Sequence, residues 1–197
     1  MRPAVAVALL AVVAGVTGGC ASDTTASIVT PACSSAGGDS GAANGVVLMA
    51  QSVPSATWVP CIRTTLPIGW VFHHLDARNG IARFWLDSDR DGQQAIEVRL
   101  EPSCETDGAT EIPSDREGMR RLERVTVTTP DFEGERYYVF EGGCITVVFR
   151  LTGDSRAEGL SLATDAVGAV SRTDLQDQVH DESNGRLSLD PAGDGDA

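Results

Sequence analysis

Between Trp58 and Phe149 the chain alternates apolar and polar residues more often than it repeats them every three or four, and all ten of its aromatic residues fall in that window. Period two is the signature of a strand with one buried face. Ile96-Glu97-Val98-Arg99-Leu100 is the clearest case, apolar on one side and charged on the other. Ile145, Val147, Phe149 and Leu151 make a second strand, with Thr146 and Arg150 facing the other way. Tyr137 to Phe140 makes a third, separated from the second by the turn Glu141-Gly142-Gly143. Trp70 to Leu75 and Ile81 to Leu86 flank a segment that closes on Asn79-Gly80, the strongest short hairpin signal. A weaker strand runs through Val125 and Val127. No connection is long enough for a helical crossover, so these roughly six strands are expected to pair antiparallel.

Helical spacing is confined to the carboxyl end. Leu160, Ala163, Val167 and Val170 fall on one helical face, interrupted by Gly159 and Gly168. Ser171-Arg172-Thr173-Asp174 resembles a capping box and starts a second helix through Leu175 and Val179, which Asn184-Gly185 ends. The expected fold is α+β: a mainly antiparallel sheet of about six short strands, followed by one or two C-terminal helices.

The amino terminus sets the compartment. Residues 1–20 read MRPAVAVALLAVVAGVTGGC, with one early charge at Arg2 and an apolar run from Ala4 to Val16. A membrane-spanning helix needs about 20 such residues, so the run fits a secretory signal instead. It ends in small residues at Thr17-Gly18-Gly19-Cys20 and resembles a bacterial lipoprotein signal, in which the cysteine is lipidated and becomes the first mature residue. Thr17 departs from the usual Leu or Val at that position. The alternative is ordinary cleavage and secretion, for instance after Ala21. As a whole, the lysine-free, Ala-, Gly- and Arg-rich chain resembles the small exported or lipid-anchored proteins of high-GC Gram-positive bacteria, many of unknown function. The resemblance implies a place on the outer face of the cytoplasmic membrane. Its globular body carries no motif of a named family.

This reading divides the chain into a signal (1–19), an Ala/Ser/Thr/Gly-rich tether (20–45), one monomeric globular domain (46–183) and an acidic, disordered tail (184–197). Four cysteines remain for the oxidising compartment: Cys33, Cys61, Cys104 and Cys144. Three connectivities exist, and Cys33–Cys61 with Cys104–Cys144 is preferred. Cys104 closes one expected strand and Cys144 opens another, so a sheet can bring them together.

Composition removes several functions. All fifteen basic residues are Arg, which excludes lysine Schiff-base chemistry and a Walker-type phosphate loop. A net charge of -13 argues against nucleic acid as partner.

Four constellations carry candidate chemistry. Asp87, Asp89 and Asp91, ahead of Gly92, match the first half of a calcium loop, but Val98 stands where the closing Glu belongs. The competing reading is a solvated hairpin tip. Arg116, Arg120, Arg121 and Arg124 form the densest basic group, suited to an anionic envelope polymer or a partner's carboxylates, or else to a salt-bridged strand edge. His73 and His74, adjacent on a strand, should face opposite ways and not share a metal. They are the residues a hydrolase would use. Gly38-Asp39-Ser40-Gly41 and Gly153-Asp154-Ser155 are similar to serine-nucleophile strings, but their context does not suit catalysis. Trp58, Trp70 and Trp85 read as core aromatics, unless one lines a groove. The expectation is a non-enzymatic binding module displayed on the membrane's outer face, with an unknown envelope protein or polymer as partner and no cofactor. A calcium-stabilised envelope domain and an extracytoplasmic hydrolase are the alternatives.

Overall fold

The alternation seen in the sequence becomes a sheet with the main core on one face and a smaller buried cluster on the other. The computed structural model describes residues 25–27, 29–33, 45–63, 65–152 and 155–191. Across them run β1 (Thr25–Ser27), α1 (Gly45–Ser52), β2 (Trp58–Ile62), β3 (Trp70–Arg78), β4 (Ile81–Ser88), β5 (Gly92–Glu101), β6 (Thr110–Ile112), β7 (Arg120–Val127), β8 (Phe132–Phe140), β9 (Gly143–Leu151), α2 (Arg156–Ala166), β10 (Val167–Ser171) and α3 (Arg172–Glu182). Eight strands form one antiparallel sheet in the order β1-β3-β4-β5-β9-β8-β7-β6, and β10 pairs with β2 in a second, two-stranded sheet.

The expected antiparallel α+β fold is the one the chain adopts. The six strands read from the sequence are β3, β4, β5, β7, β8 and β9; β1, β2, β6 and β10 join them. These four are three or five residues long, too short to show a period, and β2 contains Pro60. Asn79-Gly80 makes the two-residue turn between Arg78 and Ile81, with Gly80 at φ +84°. Glu141-Gly142 makes the equivalent turn between Phe140 and Gly143.

Alternate residues of the central strands supply the core. Phe84, Leu86, Ile96, Val98, Leu100, Ile145, Val147, Phe149 and Leu151 share one cluster with Val46 and Met49 of α1, Leu160 and Ala163 of α2, and Leu175 and Val179 of α3. All three helices and the small sheet therefore cover the same face, and each fully buried side chain contributes roughly 2 kcal/mol. The other face stays open. It carries a satellite cluster of Leu122, Tyr137 and Cys144, against which Cys104, Ala109 and Val139 pack.

Both preferred disulfides form, Cys33–Cys61 with a Cα–Cα separation of 4.8 Å and Cys104–Cys144 with 5.8 Å. The second ties the loop after β5 to β9 on the open face.

Four boundaries differ from expectation. The last carboxyl-terminal apolar residues, Val167 and Val170, leave the helix and enter β10, where β2 offers a ladder to the β-branched side chains. Helix α1 lies where no helix is expected, because its run GVVLMAQS is apolar nearly all round and shows no helical stripe. Within the expected tether, Thr25–Ser27 pair with Leu75–Ala77 of β3. Within the expected disordered tail, Leu189 is buried, and its backbone N–H donates to Gln176 Oε1. Among the described residues no helix is long and apolar enough to cross a membrane. Cys20, Gly38–Gly41, Gly153 and Asp154 lie outside the described residues.

Candidate functional site

The two histidines do not face opposite ways. Phe72 pairs with Leu86 and Leu75 with Phe84, so His73 and His74 together stand opposite the single residue Trp85. This is a β-bulge, and the extra residue turns both rings onto the open face. His74 stacks on Trp85 with centroids 4.3 Å apart, and His73 meets His74 edge-on at 4.7 Å. His73 Nδ1 lies 2.8 Å from Asp87 Oδ2. Trp85 is thereby covered without entering the core, and Arg83 sits 5.7 Å from its ring centroid. Next along the face is Glu97, only 5% exposed and held by Arg99 through two hydrogen bonds of 2.8 and 3.1 Å. Trp85 is buried, as expected, but alternation with Phe84 and Leu86 along β4 sets it on the face away from the main core, and the bulge on β3 is what brings both histidines over it.

The three aspartates sit at the tip of the β4–β5 hairpin, and the carboxylates of Asp87 and Asp91 take separate partners. Asp87 Oδ1 accepts from the Gln94 backbone N–H at 2.7 Å, while its other oxygen pairs with His73. Asp91 accepts from Ser88 Oγ and from the Thr152 backbone N–H. The Asp89 backbone N–H donates to Gly69 O. This is the bonding of a hairpin tip. Among the described residues no group of three His, Cys, Asp or Glu side chains is placed to hold a metal.

The four arginines separate for the same reason as the histidines come together: strand geometry. On β7, Arg120 and Arg124 share the open face with Leu122, and Arg121 faces the helical layer opposite Tyr138. Arg120 pairs with Glu111, Arg124 with Glu135, and Arg121 with Asp115. Arg116 precedes the strand and lies over the Tyr138 ring, 4.3 Å from its centroid.

Beside the hairpin tip, on the helical side, is a cleft of about 290 Å³. Ile68, Trp70 and Leu162 give it apolar walls, and Asp89, Asp91 and Glu158 with Arg90 make the charged part of its lining acidic on balance. Ile68 is fully exposed and Leu162 is 41% exposed, although both are large aliphatics. Leu162 also borders a neighbouring cleft of about 380 Å³ with Arg63 and Leu66, so the apolar surface continues across the 65–69 loop. A third cleft, of about 330 Å³, lies between Thr57, Arg172 and Leu189. None of the three has a histidine in its lining.

Trp70 is a tryptophan that lines a groove. Ile68 and Leu162 escaped the sequence reading, yet each left a trace. Ile68 is an isoleucine between Pro67 and Gly69, in a turn that has no core to fill. Leu162 falls off the apolar face that Leu160 and Ala163 define on α2. With this geometry in view, the chain matches no protein family, no curated protein and no solved structure.

Proposed function

We propose that the protein is a cell-envelope binding module, anchored or secreted outside the membrane through the signal ending at Cys20, that engages its partner without chemistry through the cleft at the β4–β5 tip. The observation that carries this reading is the exposure of Ile68 and Leu162 in the cleft that Trp70 also lines. Scattered exposed aliphatics are ordinary, but two flanking a tryptophan-lined concavity form a recognition surface. Asp89, Asp91 and Glu158 add an acidic rim that orients a partner and opposes wrong ones. The hairpin tip is held by its own hydrogen bonds, so the walls are set before a partner arrives.

Two experiments test the two halves of the reading. A photo-crosslinking residue at position 162, in intact cells, is expected to give a discrete adduct that the same residue at position 125, on β7, does not. Identical adducts at both positions, or none at 162, would remove the cleft as the binding surface. Fatty-acid labelling is expected to mark the native chain and not Cys20→Ala, and an unlabelled native chain would leave secretion as the route.

A further inference from the structure

Five buried side-chain nitrogen or oxygen atoms have no hydrogen-bond partner among the described residues, and four of them belong to Arg116, Arg121 and Tyr138. These are Arg116 Nε and Nη1, Arg121 Nε and the Tyr138 hydroxyl. The three side chains are neighbours. Arg121 stands directly opposite Tyr138 across the β7–β8 ladder, and the Arg116 guanidinium lies over the Tyr138 ring. Tyr138 has no exposed surface at all.

The charge around these donors is as unbalanced as their hydrogen bonding. Asp115 is the nearby acid, and its Oδ1 is already bonded to Arg121 Nη1 at 2.9 Å. Arg116 donates from Nη2 to the Val167 carbonyl and, among the described residues, has no carboxylate within salt-bridge distance, the Asp115 carboxylate going to Arg121. Arg63 lies close enough to act on Arg116 as a like charge. Burial first, and then Arg63, lower the Arg116 pKa despite the opposing pull of Tyr138 and Asp115. In a chain with 28 acidic residues and 15 basic ones, two part-buried guanidiniums that share the single carboxylate of Asp115 are conspicuous. An unpaired buried donor costs about 1–3 kcal/mol, and more when it is charged. A water molecule could accept these hydrogen bonds but would leave the positive charge uncompensated.

We infer that Arg116, Arg121 and Tyr138 form a binding site for one small oxyanion between the main sheet and β10. Guanidinium forks match the paired oxygens of a carboxylate or phosphate, and the Tyr138 O–H adds a donor that tolerates no bulky neighbour. The burial of these donors favours a small free ion over a polymer, which would have to bring its chain in with its charge. The 113–118 loop, exposed at Ser114, Asp115, Glu117 and Gly118, is the cover through which the ion enters. This site is separate from the cleft at the hairpin tip. It also divides the arginine group: Arg120 and Arg124 take no part.

The test uses the purified full chain with inorganic phosphate and with acetate, each against sodium chloride at equal ionic strength. One anion is expected to raise the melting temperature and to shift the Nε–H nuclear magnetic resonance signals of Arg116 and Arg121. Arg116→Gln should weaken that binding by about tenfold or more. Tyr138→Phe guards against a folding defect. Without anion it should still fold as the native chain does, because phenylalanine keeps the ring on which Arg116 lies, and with anion it should gain less. A response to phosphate alone identifies a tetrahedral ion, and a response to acetate alone a carboxylate. If neither anion moves the two arginine signals, or if Arg116→Gln and Tyr138→Phe respond as the native chain does, the site is refuted.

Discussion

Tyr137 and Glu135 stand two positions apart on β8, both on the open face, and the Tyr137 hydroxyl donates to Glu135 Oε2 across 2.6 Å. Arg124 donates to the same oxygen from the neighbouring strand. A phenol, a carboxylate and a guanidinium thus share one atom on the side of the sheet away from α1, α2 and α3. Burial, followed by the bond to Glu135, pushes the Tyr137 pKa up to about 12 from its ordinary value of 10.0. The folded state therefore holds the Tyr137 proton longer than the unfolded chain does. The stability this contributes is complete below pH 10 and is lost as pH climbs toward 12. Ultraviolet titration should show one tyrosine ionising late, and Glu135→Gln should bring it earlier. A late tyrosine that ignores Glu135→Gln would refute the assignment.

The same atoms govern the acid limb. Burial alone would raise the Glu135 carboxyl, but hydrogen bonds from Tyr137 and Arg124 outweigh it and hold the group below its ordinary 4.5. A depressed carboxyl contributes stability above pH 4.5 that disappears as pH falls through the folded-state value. The stability gap between the native chain and Glu135→Gln is thus expected to be full at neutral pH and to close under acid. Urea melts across that range would expose a constant gap, which this account does not allow.

Glycines at two positions should respond very differently to alanine. At Gly134 on β8 an added Cβ would lie 2.4 Å from the Arg124 carbonyl oxygen and 2.6 Å from Phe149 Cζ. Backbone and a core ring cannot both withdraw, so Gly134→Ala should destabilise by roughly 3 kcal/mol. Gly80 meets nothing within 4 Å, and only its φ of +84° resists a side chain. Gly80→Ala should therefore lose about 1 kcal/mol. Comparable losses in denaturant melts would mean that the β7–β8–β9 packing is looser than described.

The segment after α3 belongs to the fold. Leu189 is 6% exposed, the Asp190 N–H donates to Gln51 Oε1, and its carbonyl accepts from Arg172 Nη2. Leu189→Ala should destabilise by roughly 2–3 kcal/mol. A chain ended after Ser183 should melt at a lower temperature still. Unchanged melting of that truncation would show the segment to be undocked in solution.

How much of this was legible depended on whether the information was local. Ile96 to Leu100 announces β5 because each residue's face follows from its neighbour's, and Asn79-Gly80 announces its turn because φ is a property of single residues. The pairing of Cys104 with Cys144 could be inferred from the same alternation. The bulge at His73 and His74 could not, since it arises from how β3 meets β4 and is written in neither strand. Val167 and Val170 were ambiguous in the same way: their spacing suits a helix, and the nearby β2 decided against it. The candidate cleft was the least visible. Ile68, Trp70 and Leu162 lie up to ninety-odd positions apart, and only the packing of α2 beside the hairpin tip assembles them.

The Cys33–Cys61 bridge also decides how the domain would carry a mechanical load. Tension applied at the amino terminus first meets β1, a three-residue strand at the sheet's rim that can peel away bond by bond. The pull then reaches Cys33 and crosses the sulfur link directly into β2, bypassing the whole of α1. Because β2 is laced to β10 and not to the large sheet, the strain is delivered to the two-stranded ribbon. From β10 the load passes to α2, which precedes it in the chain and walls the cleft through Leu162, so tension at the attachment point would reach the cleft by that route and not through the hairpin.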